Sequence, residues 1–234
     1  ATTSITHPQF STGEIAKFGN KFWIKTLEYV QSIFISVLEE FEIGSNCSIT
    51  HLRTINLPPE VLSSGAGMCA KDVNTLIMGS MHIQPPPATP TLFHSAICEV
   101  NISGSTAVVN PLFNTGNVAG DIVYIPSSNT IAATVDITGQ GVLAMHFDTS
   151  GTILGQTSFS GSSAFSMFSY FDDVYVGTAP TIFKFDLTNH TMISQPSLTN
   201  VSNGYADAAS SPECFTSSRA CYNIGDIGPE GGII

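Results

Sequence analysis

Alternating apolar and polar positions are the main signal in this chain. Val142–Phe159 and Thr181–Leu198 each contain an alternating segment that ends in Phe-Asp, a short polar turn and a second segment. The pairs Phe147-Asp148 and Phe185-Asp186 recur 38 positions apart. Side chains alternate between the two faces of a strand, so the pattern predicts half-buried β-strands. Its recurrence predicts a repeated supersecondary unit.

The same unit recurs earlier in the chain. Ile97–Phe113 has Val100-Asn101 in the place of Phe-Asp, and Glu40–Leu57 has Phe41-Glu42 there. The spacings of 59, 47 and 38 residues are irregular and indicate a four-stranded unit with loops of variable length. We therefore divide the chain into an orphan outer strand (1–12), blades at 13–58, 65–113, 118–160 and 161–199, and a C-terminal region (201–234) that is a partial blade or an irregular tail.

Strands are predicted throughout these units. Their ranges are Glu14–Phe18, Lys21–Glu28, Ser32–Ile43 and Ser48–Leu57; Met68–Lys71, Thr75–Ile83, Thr91–Val100 and Ser105–Leu112; Asp121–Ile125, Thr130–Ile137, Gly141–Phe147 and Thr152–Phe159; and Ala164–Tyr170, Asp173–Gly177, Thr181–Asp186 and Thr191–Leu198.

One segment has a competing interpretation. Ile24–Glu40 also fits a 3.6-residue period, which would make it a helix. Its β-branched residues and the repeat favour strands. The proline-rich insert Gln84–Pro90 is predicted to be a surface loop, since proline cannot donate to a strand ladder.

Composition and charge exclude several classes of protein. Hydrophobic residues make up 42% of the chain and charged residues 11%, which is typical of a globular protein. The formal net charge of −11 argues against nucleic-acid binding, which requires a basic surface. No run approaches 18 consecutive apolar residues, so no membrane span is predicted.

Cysteines and glycosylation motifs indicate an extracellular location. There are five cysteines, and Cys214 and Cys221 are close enough in sequence to form a small disulfide ring. Because the total is odd, one cysteine is expected to be unpaired or bonded to another chain. No C-x-x-C pair suggests a zinc site. Four N-x-Ser/Thr motifs begin at Asn46, Asn101, Asn189 and Asn200. The first three fall in the turn after the repeated strand end, where a glycan would be solvated.

Candidate catalytic and metal-binding residues are sparse. Asp72, Asp121 and Asp172-Asp173 lie near strand starts and could supply oxygens to Ca²⁺, although turn residues are the simpler explanation. No cofactor is therefore predicted, with Ca²⁺ kept as an alternative. The neighbours Glu39 and Glu40 should point to opposite faces of a strand and so could not act on one substrate. The six histidines form no H-x-x-x-H or H-E-x-x-H motif.

Aromatic residues are dense in the fourth unit. Packing between blades is the favoured explanation, and a sugar-binding platform is the alternative. The residues are Phe165, Phe168, Tyr170, Phe171, Tyr175, Phe183 and Phe185.

The repeated units as a whole predict an all-β fold, a β-propeller of four-stranded antiparallel blades with about four blades visible. The segments VYIPSSNTIAATVDITGQGVLAMHFDTSGTIL and DVYVGTAPTIFKFDLTNHTMI resemble blades of the NHL, YVTN and quinoprotein-like propellers. The likeness implies a blade fold over residues 13–198 and no particular family. The chain lacks the WD40, sialidase and kelch signatures.

Two functions follow from this interpretation. The favoured one is a secreted or surface-exposed structural or interaction module, which joins other protein chains by strand completion or self-assembly in an extracellular assembly. The alternative is an enzyme, a hydrolase or lyase acting on sugars or lactones at the mouth of the propeller channel. The sequence contains no catalytic constellation, and enzymatic activity is left open with the non-catalytic function preferred.

Overall fold

The computed structural model describes residues 15–30, 33–45, 48–58, 61–63, 67–83, 94–115, 117–137, 139–158, 164–170, 172–178 and 181–194. These residues form four antiparallel sheets, which are the four blades of a β-propeller. The predicted fold class is thus confirmed. The predicted orphan strand (1–12), the proline-rich loop (84–90) and the C-terminal region (201–234) lie outside the described residues.

In blades 1, 3 and 4 the strands pair in chain order, whereas in blade 2 the first two strands both pair with the third. Blade 1 contains β1 (Ile15–Phe18), β2 (Lys21–Val30), β3 (Ile33–Ile43) and β4 (Ile49–Asn56). Blade 2 contains β5 (Val61–Ser63), β6 (Met68–Asp72), β7 (Thr75–Ile83), β8 (His94–Asn101) and β9 (Val108–Asn114). Blade 3 contains β10 (Asn117–Ile125), β11 (Thr130–Ile137), β12 (Gly141–Asp148) and β13 (Ile153–Ser158). Blade 4 contains β14 (Ala164–Tyr170), β15 (Asp173–Thr178), β16 (Thr181–Asp186) and β17 (Thr191–Ser194).

The favoured interpretation of Ile24–Glu40 as strands is confirmed. The helical alternative for Ile24–Glu40 is wrong, because β2 and β3 form a tight hairpin in which Val30 pairs with Ile33. The short strand β5 was not predicted. It pairs with the Met81–Ile83 end of β7, beyond the bulge at which β6 stops pairing with that strand.

Apolar side chains fill the interfaces between successive blades. At the first interface, Trp23 and Leu38 of blade 1 pack in one cluster with Met78 of blade 2. At the second, Ile77 of blade 2 belongs to a cluster with Ile122 of blade 3. These side chains are at most 2% exposed. The neighbours Ile77 and Met78 therefore serve different interfaces, as the period-two geometry of a strand requires.

The third interface joins blades 3 and 4. Val123 and Ala144 of blade 3 pack with Val174 and Phe185 of blade 4. Among the described residues no comparable buried cluster joins blade 4 to blade 1. The two terminal blades thus each have one face that lies outside these three interfaces.

A polar contact reinforces the first interface. Arg53 of β4 donates from its guanidinium to the carbonyl oxygens of Ile102 at 2.7 Å and Gly104 at 2.9 Å, in the turn between β8 and β9. The backbone of Asn56 also exchanges hydrogen bonds with Ser105 and Ala107 of this turn. The β8–β9 turn, which leads into the outer strand of blade 2, therefore contacts the outer strand of blade 1.

The next two blades repeat this arrangement. Gly151, in the turn between β12 and β13, lies against Phe113 of the outer strand of blade 2. His190, in the turn between β16 and β17, lies over Gly155 of the outer strand of blade 3. In blades 2, 3 and 4, the turn that leads into the outer strand thus contacts the outer strand of the preceding blade.

Substitution of Gly151 tests the docking of these turns. Gly151 has φ +90° and a Cβ there would overlap the Phe113 ring, whereas Gly139 has φ +83° and open space. Both alanine variants carry the left-handed backbone cost of about 1–2 kcal/mol. We expect G151A to lower the free energy of unfolding by a further 1–3 kcal/mol or so, the usual cost of overpacking. Urea denaturation of both variants measures the difference; equal losses would show that the turn does not press on blade 2.

Candidate interaction surface

The inner strands do not bring the predicted acidic residues together. Asp121 is buried on β10, and its carboxylate accepts the N–H of Ile122 at 2.8 Å. Asp72 accepts the N–H of Asn74 within its own turn, and Asp173 pairs with Lys184. Within the described ranges no three His, Cys, Asp or Glu side chains are grouped as a metal site would require. The described inner strands therefore do not supply the acid cluster on which the enzyme alternative depends.

Glu39 and Glu40 point to opposite faces of β3, as predicted. Glu39 lies 2.6 Å from Nε2 of His51, on the face away from blade 2. Glu40 is buried on the other face, where Lys21 and Arg53 each donate to it at 2.6 Å. Burial alone would raise the pKa of Glu40, but these two cations outweigh it and lower the pKa. Glu40, Lys21 and Arg53 thus form a structural charge cluster at the first interface.

Two described cysteines are buried free thiols. Cys69 lies in β6 and Cys98 in β8. Burial raises the pKa of Cys69, with a further contribution from Asp121, and burial raises the pKa of Cys98 to about 12. Because the thiolate is the nucleophile, both are unreactive. The predicted disulfide partners Cys214 and Cys221 lie outside the described residues.

The aromatic residues of the fourth unit divide between two faces of blade 4. Phe185 is 1% exposed in the third interface, as the packing hypothesis predicts. Phe168 and Tyr175 pair across β14 and β15 on the opposite face, with their rings stacked at 5.3 Å. Tyr170, next on that face, is 65% exposed. Sequence density alone did not reveal this division, which follows from the strand register.

We call this opposite side the far face of blade 4. It includes Phe168, Tyr170, Asp173, Tyr175, Ile182, Lys184, Asp186 and Ile193, which the strand register places on one side of the sheet.

The far face is half-exposed and carries few charges. Its described charged residues are Lys184, Asp173 and Asp186, and Lys184 forms an ion pair of 2.7 Å with Asp173. The hydrogen bond to Asp173 raises the pKa of Lys184. Ile193 is 45% exposed at its outer edge. On a chain with a net charge of −11, this aromatic surface with a single cation and two anions offers less charge repulsion to an approaching acidic protein than a strongly acidic surface would.

The far side of blade 1 differs from this surface. Its register places Phe22, Val37 and Phe41 on the side away from blade 2. All three are buried, and the Phe22 and Phe41 rings stack at 5.0 Å. Of the two terminal blades, blade 4 is therefore the one whose outward face presents exposed side chains among the described residues.

Two of the four predicted glycosylation sites lie among the described residues, and both are exposed. Asn101 ends β8, and its side-chain oxygen accepts from Ser103 N–H at 3.1 Å and Oγ–H at 2.6 Å. Asn189 lies in the β16–β17 turn and donates to Asp186 at 2.8 Å. Asn46 and Asn200 lie outside the described residues. No helix long and apolar enough to cross a bilayer occurs in the described part of the chain.

Comparison with known proteins gives weak similarities in three dimensions. No family model matches the chain, and no curated protein does. A protein of unknown function from Bacteroides caccae aligns at 12% identity and a TM-score of 0.48, covering 84% of this chain and 64% of that one. The Pyrococcus horikoshii acylaminoacyl peptidase aligns at 9% identity and a TM-score of 0.44, covering 80% of this chain and 32% of that one. The WD40 β-propeller domain of Doa1 aligns at 11% identity and a TM-score of 0.37, covering 87% of each chain.

The chain spans less than two thirds of the length of the first two of these structures. The assignment of its fold rests on its own blades.

The division of blade 4 into two faces is testable with a pair of truncations. We expect F185A to lower the free energy of unfolding by about 3–5 kcal/mol, because it opens a cavity in the third interface. Y170A should change it by about 0.5 kcal/mol or less, because the side chain is largely exposed. Chemical denaturation of the two variants measures both values. A large loss for Y170A would mean that the far face is already packed within the chain.

Proposed function

We propose that this protein is a non-catalytic interaction module that associates with a second copy of itself through the far face of blade 4. The observation that carries the proposal is the half-exposed aromatic face at the end of the blade series. At each described interface a blade face of this kind is covered by another sheet. Tyrosine and phenylalanine are also the residues enriched in protein interfaces.

Charge favours a second copy as the occupant. A two-fold interface brings the same patch of both subunits together, so the patch must complement itself. The far face carries the cation Lys184 and the anion Asp173 side by side, and Asp186 is a second anion beside Lys184. Across a two-fold axis Lys184 of one copy can pair with Asp173 of the other. The acidic remainder of the chain would oppose contact elsewhere.

Charge reversal provides the sharpest test. The K184E and D173K variants should each remain monomeric, because each places two like charges on the far face and weakens association by about tenfold or more. An equimolar mixture of the two variants should associate, since their faces are then complementary. Sedimentation velocity on the full chain measures all three samples.

The matched control for this experiment is V108D. Val108 is 58% exposed on the outer strand of blade 2, away from the far face, so V108D should associate like the wild-type chain. A wild-type chain that is monomeric at every concentration would exclude a second copy as the partner. Association that K184E leaves unchanged would place the interface on another surface.

We further propose that the protein acts in an extracellular assembly. The exposed positions of Asn101 and Asn189 support glycan attachment, as do the predicted motifs at Asn46 and Asn200. Attachment at Asn189 would leave one N–H for the hydrogen bond to Asp186, because a glycosylated amide retains one hydrogen. An oxidising location also suits the predicted Cys214–Cys221 disulfide.

Expression through a eukaryotic secretory pathway tests this location. We expect mass spectrometry to find glycans on Asn101 and Asn189, each lost in the N101Q or N189Q variant. Peptide mapping without reductant should recover Cys214 linked to Cys221. A secreted product with unmodified asparagines and free thiols at both positions would contradict the extracellular assignment.

A further inference from the structure

Two histidines meet at the interface between blades 3 and 4. His146 projects from β12 towards blade 4, on the same face as Ala144. His190 lies in the β16–β17 turn of blade 4. Their ring centroids are 5.8 Å apart. The contact is independent of the far face of blade 4, which lies on the other side of that sheet.

His146 is held in place on one side and has no partner on the other. Its Nε2 lies 2.9 Å from Thr130 Oγ1, which is 2.7 Å from Ser128 Oγ. Its Nδ1 is buried without a hydrogen-bond partner, and the residue is 6% exposed. A buried polar atom without a partner destabilises the folded state, so its protonation state affects the stability of this interface.

His190 occupies space that a glycine leaves open. Gly155 pairs with His146 across β12 and β13, and a Cβ on Gly155 would overlap the His190 ring. The imidazole of His190 thus takes the place of a cross-strand neighbour of His146. Its backbone has φ +54°, and its Nε2 is buried without a hydrogen-bond partner. The turn of blade 4 therefore contacts the outer strand of blade 3 through this ring, while Leu187 of the same turn packs against the apolar cluster of the third interface.

The acidic groups of the surrounding elements are engaged elsewhere. Asp148, at the end of β12, accepts from Ser150 and Thr152 in its own turn. Asp186, at the end of β16, accepts from Thr188 and Asn189. Lys184 is a cation on β16, and the contacting stretch of β11 contributes the hydroxyl of Thr130. A charged imidazolium at this contact would thus add a buried N–H donor opposite a second imidazole.

We propose that the His146–His190 contact is a proton-sensitive latch: protonation in mildly acidic solution releases the β16–β17 turn and loosens blade 4 from blade 3. Burial lowers the pKa of His146, and the neighbouring His190 lowers it further. A histidine with a lowered native pKa contributes its full stabilisation above the unfolded-state pKa of about 6.5, and loses it as the pH falls below that value.

Hydrogen exchange resolved by blade tests the latch. Exchange of the wild-type chain is measured at pH 7.5 and 5.5 and corrected for the intrinsic rate at each pH. We expect protection of β14–β17 to fall about tenfold at pH 5.5, while β7 of blade 2 changes little. The H146Q/H190F variant should keep its blade 4 protection at both pH values, because neither glutamine nor phenylalanine titrates, and phenylalanine fills the space of His190.

H51N is the matched control, since His51 lies on blade 1 beside Glu39 and its removal should leave the response of blade 4 intact. Equal protection of wild-type blade 4 at both pH values would overturn the proposal. A response that persists in H146Q/H190F would also overturn it. Should this variant fail to fold, an NMR titration of the wild-type imidazoles decides the matter: a His146 pKa at or above about 6.5 excludes the latch.

Discussion

The structure depends on one constraint: a blade has two apolar faces and cannot bury either of them alone. In β7 the consecutive residues Leu76, Ile77 and Met78 are all at most 1% exposed, because they alternate between two interfaces. In β10, Ile122 and Val123 divide in the same way between the second and third interfaces. Hydrophobic burial is thus satisfied only by a neighbouring sheet, and each blade stabilises the next.

Contacts made by turns also fix how the blades are stacked. In blades 2, 3 and 4, the turn that leads into the outer strand contacts the outer strand of the preceding blade. Arg53 makes this contact in the first case, Gly151 in the second and His190 in the third. These contacts use different chemistry at the same position: a cation on carbonyl oxygens, a glycine under an aromatic ring, and an imidazole over a glycine. The backbone geometry of the propeller is therefore repeated while the side chains that serve it are not.

This variation explains what the sequence could and could not predict. The strand bounds in blades 3 and 4 were predictable because the alternating pattern and the Phe-Asp turns mark them. Strand β5 was not, since three residues beside a bulge carry no period of their own. The far face of blade 4 also required the structure. Phe168 and Phe185 look alike in the sequence, and only the pairing of the strands shows that they lie on opposite faces.

The asymmetry of the two terminal blades bears on function more than the inner strands do. Blade 1 directs buried Phe22 and Val37 away from blade 2, whereas blade 4 presents a stacked Phe168–Tyr175 pair and an exposed Tyr170. The constraint that builds the internal interfaces acts on this last face as well, because half-exposed aromatic surface gains free energy when it is covered. Its neutral Lys184–Asp173 pair makes a surface of the same kind a suitable cover. The burial of apolar surface that joins the blades within the chain would then also join one chain to another.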